Sequence, residues 1–340
     1  ALLVNSAEQA QGLLASLADD DQQAGVQTGH VRQPPKIAWL FDDAVSAPPQ
    51  LGQTLFKTEP VFREMIVQCD EHLKHHLEQV GQEPFGGAAT DSTLVAWMEQ
   101  RSEQSWSDAA PITAAFSFAF QMALARLWQS WGVQAEVVMG LGVGQYSAAC
   151  AAGVMSVEDG LRLVAAREQL LANVEAGVAA NAMQPAGNGA DTKALNEFES
   201  FADTIDYFPA DRPLVCSLDG TVVPVHRLLG GAYWRQHCTQ SPAVSESIQT
   251  LADLDCRVVM DLSIGSTLSD NVRSLWPDPA PVLLPRLAEQ RDERATVLTS
   301  LGQLYVNGLT PDFAGLYREG GRSKVGLPTY PFERSRYWIT

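Results

Sequence analysis

Apolar positions from Ser6 to Leu17 recur at helical spacing, and a polar run from Asp19 to Arg32 and the pair Pro34-Pro35 follow; the pattern predicts a short helix and a connecting segment. Lys36-Ile-Ala-Trp-Leu-Phe41 is a continuous apolar run, suited to a strand covered on both faces, and is expected to be the first strand of a parallel sheet. Asp42 to Gln53 holds two prolines and shows no period. Thr58-Glu-Pro then opens a helix to about Val80, with acids in its first turn. Ala114 to Trp131 is apolar nearly all round, which predicts a helix packed in the middle of the structure. Val133 to Met139 reads as a second buried strand, Ser147 to Met155 as a small-residue helix, and Ser156-Val-Glu-Asp as the cap of another helix running through Arg167.

Further on, GVAANAMQPAGNGADT (177–192) reads as a loop or linker. Leu214–Ser217 and Arg257–Leu262 predict further strands, separated by a helical stretch from Tyr233 to Leu251. Ala295 to Asn307 is a late amphipathic helix, and 326–338 an extended tail of prolines and aromatics. Strand, glycine turn and helix in succession predict an α/β fold.

Composition narrows the function. Forty acidic against 23 basic residues give a net charge of −17, so neither nucleic acid nor a membrane surface is an expected partner. Five widely spaced cysteines, with no CxxC pair, predict neither a disulfide framework nor a zinc site and fit a reducing cytoplasm. No segment approaches 18 apolar residues in a row. The chain starts without Met and inside a pattern, and reads as a piece of a longer polypeptide.

The candidate chemistry lies in MGLGVGQY (139–146), a tight strand-to-helix turn of the kind that displays a nucleophile. Its middle position, where Ser or Cys would stand, is Gly142. As a dinucleotide loop it fails: the third glycine is at 144 rather than 145, and no acid follows a second strand about 20 residues on. No cofactor is expected. Cys150, in an Ala-rich helix, reads as a core residue rather than a replacement nucleophile.

The segments FKTEPVFREMIVQCDEHL (56–73), ALARLWQSWGV (123–133), YSAACAAGVMSVEDGLRLVAAR (146–167), YFPADRPLVCSLDG (207–220), LGQLYVNGL (301–309) and LPTYPFERSRYW (327–338) together resemble the acyltransferase domains of modular type I polyketide synthases, in the same order. The resemblance implies an α/β-hydrolase-like core with a short parallel sheet flanked by helices. It also implies a division into the end of a ketosynthase-to-acyltransferase linker (1–35), the core (36–321) and a post-acyltransferase linker (322–340). The family's chemistry is acyl transfer from coenzyme A to a carrier protein through a seryl ester, which needs a nucleophile, a histidine and oxyanion donors.

Carried over position by position, that machinery is missing. The family's Gly-His-Ser-x-Gly-Glu reads Gly140-Leu141-Gly142-Val143-Gly144-Gln145, which replaces the histidine, the serine and the acid. The oxyanion glutamine of the loop after the first strand falls at Ala44, and that loop offers Asp42 and Asp43 instead, whose charge opposes an oxyanion. The catalytic histidine's segment reads GNGADTKALNEF, and no histidine lies between His76 and His226. His226 and His237 read as surface histidines in or near turns. Only Arg167 remains, 25 residues after Gly142, at the place of the family's carboxylate-binding arginine. A ferredoxin-like subdomain of roughly 60 residues belongs between that arginine and the histidine segment, and Arg167 to Leu195 leaves no space for it.

Two functions follow as expectations. One is a non-catalytic domain holding the adjacent ketosynthase and linkers, with a separate acyltransferase as a further partner. The other is a residual acyltransferase or acyl-hydrolase anchored by Arg167. Carrier-protein binding without chemistry would need a basic patch around Arg162 and Arg167, or among Arg318, Arg322 and Lys324.

Overall fold

The apolar run at 36–41 is a strand whose two faces feed different cores. Ile37, Trp39 and Phe41 join the larger hydrophobic cluster, Ala38 and Leu40 the smaller, and all five are fully buried. A strand covered on both sides has no solvent face to make polar, which is why its sequence does not alternate.

The computed structural model describes residues 1–4, 6–18, 26–29, 33–43, 51–79, 94–99, 110–180, 189–287, 292–317 and 326. In chain order its elements are α1 (Ala7–Ala18), β1 (Lys36–Phe41), α2 (Gln53–Thr58), α3 (Pro60–Gln79), α4 (Leu94–Met98), α5 (Ala110–Ser130), β2 (Val137–Gly140), α6 (Val143–Ala151) and α7 (Val157–Ala180). These are followed by α8 (Gly189–Ala202), β3 (Leu214–Val215), α9 (Gly231–Thr239), α10 (Val244–Asp253), β4 (Cys256–Asp261), α11 (Thr267–Leu275), β5 (Val282–Leu283), α12 (Glu293–Val306) and α13 (Phe313–Leu316).

Among the described residues the sheet has five strands, all parallel, in the order β3-β2-β1-β4-β5. The chain steps from β1 to one side and later returns to the other, so the carboxyl end of β1 is a topological switch point, where open α/β sheets place their ligands. Asp42 and Asp43 are the next two residues. Helices α3, α5, α6 and α7 pack on one face of the sheet; Ile248 and Leu251 of α10 with Leu268 and Val272 of α11 cover the other. The all-round apolarity of α5 reflects its central place: Phe116, Phe118 and Phe120 are fully buried, each contributing about 1.5–3 kcal/mol.

Several expectations need correction. Residues 177–192 are not simply a loop: α7 continues to Ala180 and α8 begins at Gly189, as alanine-rich text allows. Phe198 and Ala202 bury α8 in the core, and Arg235 of α9 grips it through Glu199 at 2.6 Å. The single helix expected from Tyr233 to Leu251 is two, α9 and α10, broken at Ser241-Pro242, where proline disfavours a helical residue before it. Helix α2 lies ahead of the helix expected to open at Thr58. Its first amides, of Gly52, Thr54 and Leu55, donate to the Glu293 carboxylate, more than 230 residues away.

Helices α7 and α8 pack against each other and are joined by residues 181–188. Eight positions cannot hold four strands and two helices of average length. Ala44, Arg318, Arg322, Lys324 and the 327–338 tail lie outside the described residues.

Candidate active site

The turn between β2 and α6 has the geometry of a nucleophile elbow. Gly142 caps α6 with φ 53° and ψ −124°, a conformation that costs an L-residue about 1–3 kcal/mol and glycine nothing. Gly144 is required by close approach: a Cβ there would overlap the Phe41 carbonyl and lie 2.7 Å from the Asp42 nitrogen. The glycine frame therefore persists because α6 begins against the end of β1, whether or not a nucleophile sits between.

At Gly142 the neighbouring space is filled. A Cβ there would overlap an Asp43 carboxylate oxygen and stand 2.8 Å from Asp43 Cγ and 2.9 Å from its Cβ. The same oxygen, Oδ2, is 3.6 Å from Arg167 Nη2. Arg167 Nη1 also pairs with Glu168, and only 15 % of the arginine side chain is exposed. Burial works against its charge, but Tyr146, Glu168 and Asp43 outweigh it and hold the guanidinium above its ordinary pKa. Arg167 is thus already matched by two carboxylates of its own chain.

Asp42 is buried and serves structure. Its Oδ1 accepts from the Asp43 N–H at 2.8 Å and its Oδ2 from the Leu268 N–H at 3.1 Å, at the start of α11. Burial, reinforced by the charge of Asp261, pushes its carboxyl up to about 6 against those two hydrogen bonds. Leu141 is buried in the smaller core. Gln145 is fully buried and donates to the Tyr233 hydroxyl at 2.9 Å. Both residues are used for packing and hydrogen bonding within the fold.

His226 is exposed, as expected, but His237 is not a surface turn residue. It lies on α9, half-buried, its ring 4.5 Å from that of Tyr233 and 5.9 Å from that of Trp234. Burial and then the charge of Arg167 push it down to about 4, so the imidazole is neutral at pH 7. No local pattern marks this, because the charge acting on His237 comes from Arg167, on another helix of the folded chain. Cys150 packs against the core and donates to the Ser156 carbonyl at 3.3 Å, with burial pushing its thiol well up; a thiol held protonated is a poor nucleophile. Arg162 pairs with Asp159 at 3.0 Å and lies over the Phe201 ring, so neither it nor Arg167 forms an unmatched basic patch.

The model of the acyl transferase domain family matches residues 50–197, a stretch containing the elbow and Arg167. The chain is 26 % identical to the phenolphthiocerol synthesis polyketide synthase type I Pks15/1 of Mycobacterium marinum, over 96 % of this chain and 17 % of that protein. It is 28 % identical to the PKS-NRPS hybrid synthetase acdB of Aspergillus candidus, over 98 % of this chain and 16 % of that protein. It thus spans about a sixth of the length of these curated relatives.

Among solved structures, the acyltransferase domain from the second module of the salinomycin polyketide synthase superposes with a TM-score of 0.76 at 24 % identity, covering 97 % of this chain and 88 % of that one. The malonyl-CoA:acyl carrier protein transacylase of Xanthomonas oryzae pv. oryzae superposes at 0.53 and 19 % identity, covering 78 % and 98 %. The fold is that of polyketide-synthase acyltransferase domains, a parallel sheet flanked by helices. The alignment to the M. marinum protein runs over 381 positions, whereas 96 % of 340 residues is about 326, leaving roughly 55 positions of the relative without a counterpart here. That is the size of a small subdomain. No described helix is long and apolar enough to cross a membrane.

Proposed function

We propose that this is a non-catalytic acyltransferase-type domain of a modular polyketide synthase, comprising a core at 36–321 between linkers at 1–35 and 322–340, which keeps an adjacent ketosynthase and its linkers in their working arrangement. The observation that carries it is the elbow: Gly142 offers no nucleophile, and the side chain of Asp43 fills the adjoining space. The spacing of α7 and α8 supports it independently, since the residues between them are too few for the four strands and two helices that the resemblance places there. What the domain retains is what folding needs, and folding and catalysis draw on different residues. A separate acyltransferase would then supply the acyl units.

A residual acyltransferase or acyl-hydrolase is the second reading. Neutral, half-buried His237 near Arg167 favours it, as a base within the fold; a base without a nucleophile at 142 gives no acyl-enzyme. The two separate in an intact synthase. On the scaffold reading, Arg167→Ala and His237→Ala leave product output within about twofold of the parent, while deletion of residues 36–321 abolishes it. Loss of output on either point substitution, with the chain still folded, would favour residual chemistry.

A further inference from the structure

Resting on the non-catalytic reading above, we infer that Asp43 is an internal plug: its carboxylate occupies the place at Arg167 that a carboxylate ligand would take, so the site is closed by its own chain and removal of Asp43 would open it to small dicarboxylates.

Three observations support the inference. The guanidinium is divided between two partners, Nη1 with Glu168 and Nη2 facing Asp43 Oδ2 at 3.6 Å. Glu168 is the next residue on the same helix and would remain after any change in the loop, so the tooth of the fork that Asp43 faces is the one at issue. Second, that Oδ2 is also the atom a side chain at 142 would strike, so one oxygen closes both the elbow and the arginine. Third, Asp43 is placed by its backbone: its N–H donates to Asp42 Oδ1 at 2.8 Å, and Asp42 is itself fixed by the Ser263 hydroxyl and the Leu268 N–H. A carboxylate held near an arginine by the chain competes at high effective concentration with any free carboxylate.

The occupant admitted by removal is set by chemistry. A largely buried guanidinium accepts a planar anionic fork and holds it through paired N–H donors. Asp43→Ala removes the competing charge and the three heavy atoms of the carboxylate beside Gly142, leaving Nη2 of Arg167 to a free carboxylate such as one end of malonate.

The experiment is isothermal titration of malonate into the wild-type chain, Asp43→Ala, Asp43→Asn and the double variant Asp43→Ala/Arg167→Ala, each checked for native circular dichroism and a cooperative melt. Asp43→Ala should bind malonate with a Kd at least about tenfold tighter than wild type, as expected when an internal competitor is removed. Asp43→Asn, which keeps the volume but loses the charge, should fall between them, and the double variant should lose the gain. Equal affinity in wild type and Asp43→Ala overturns the plug, as does a gain that survives loss of Arg167. If Asp43→Ala does not fold, the Asp43→Asn comparison decides on the same terms. Malonate titration reports the plug alone: acyl loading on the wild-type chain would overturn the non-catalytic reading whatever the titration showed.

Discussion

The Asp43 carboxylate lies against Gly142 so closely that any side chain at 142 would stand within 3 Å of its Cγ and Cβ. The loop after β1 and the elbow after β2 are therefore one packed unit, and a change in either must be read against the other. For Gly142→Ser we predict no acyl transfer and a loss of about 2 kcal/mol or more, from positive φ together with crowding. Adding Asp43→Gly should recover part of the melting temperature and still give no transfer. Transfer by the single variant would show that a base and oxyanion donors are in place after all.

Gly144 tests the frame without touching chemistry. Because a Cβ there meets the backbone of Phe41 and Asp42 rather than a side chain that can rotate away, Gly144→Ala should cost about 3 kcal/mol or more. Denaturant unfolding measures it. A near-neutral result would mean that α6 can move away from β1.

Buried Asp42 makes stability depend on pH in a definite direction. Its pKa is raised from 3.8 to about 6, so the folded state binds the proton more tightly than the unfolded state, and this contribution weakens as pH rises between those values and then levels off. Asp261 and Glu293, also raised mainly by burial, act in the same sense. Asp42→Asn isolates one of them: relative to wild type, the variant should gain about 1 kcal/mol between pH 5 and pH 7, read from urea unfolding at the two pH values. No relative change would place the titration elsewhere.

Glu293 holds α2 from a distance. Glu293→Ala strands the amides of Gly52, Thr54 and Leu55 and should cost about 3 kcal/mol, whereas Glu293→Gln, which keeps an acceptor, should cost roughly 1 kcal/mol. Amide exchange at those three residues, faster in Glu293→Ala, separates this cause from general destabilisation.

Where one element's pattern was sufficient, the fold was legible in the sequence. β1 is a continuous apolar run, β4 carries the apolar Val258-Val259-Met260, α5 is apolar all round, and the glycine turn stands between a strand and a helix. The order of segments carried the family resemblance. What was not legible depended on contacts between distant residues. The Glu293 cap on α2 and the alanine-rich text that becomes the end of α7 and the start of α8 have weak local signals, whereas Pro242, which divides α9 from α10, is a local signal in its own right. At the candidate site, the empty position at 142 could be read directly. The filling of its surroundings by Asp43, and the approach of His237 to Arg167, required three loops and helices to be brought together.

The most direct test of a non-catalytic domain is incubation of the wild-type chain with radiolabelled malonyl- and acetyl-coenzyme A, followed by a denaturing gel and intact mass. The predicted result is an unchanged mass and no label on the chain, with no transfer to an added carrier protein above the uncatalysed rate. A stable acyl adduct, or carrier loading above that rate, would contradict it.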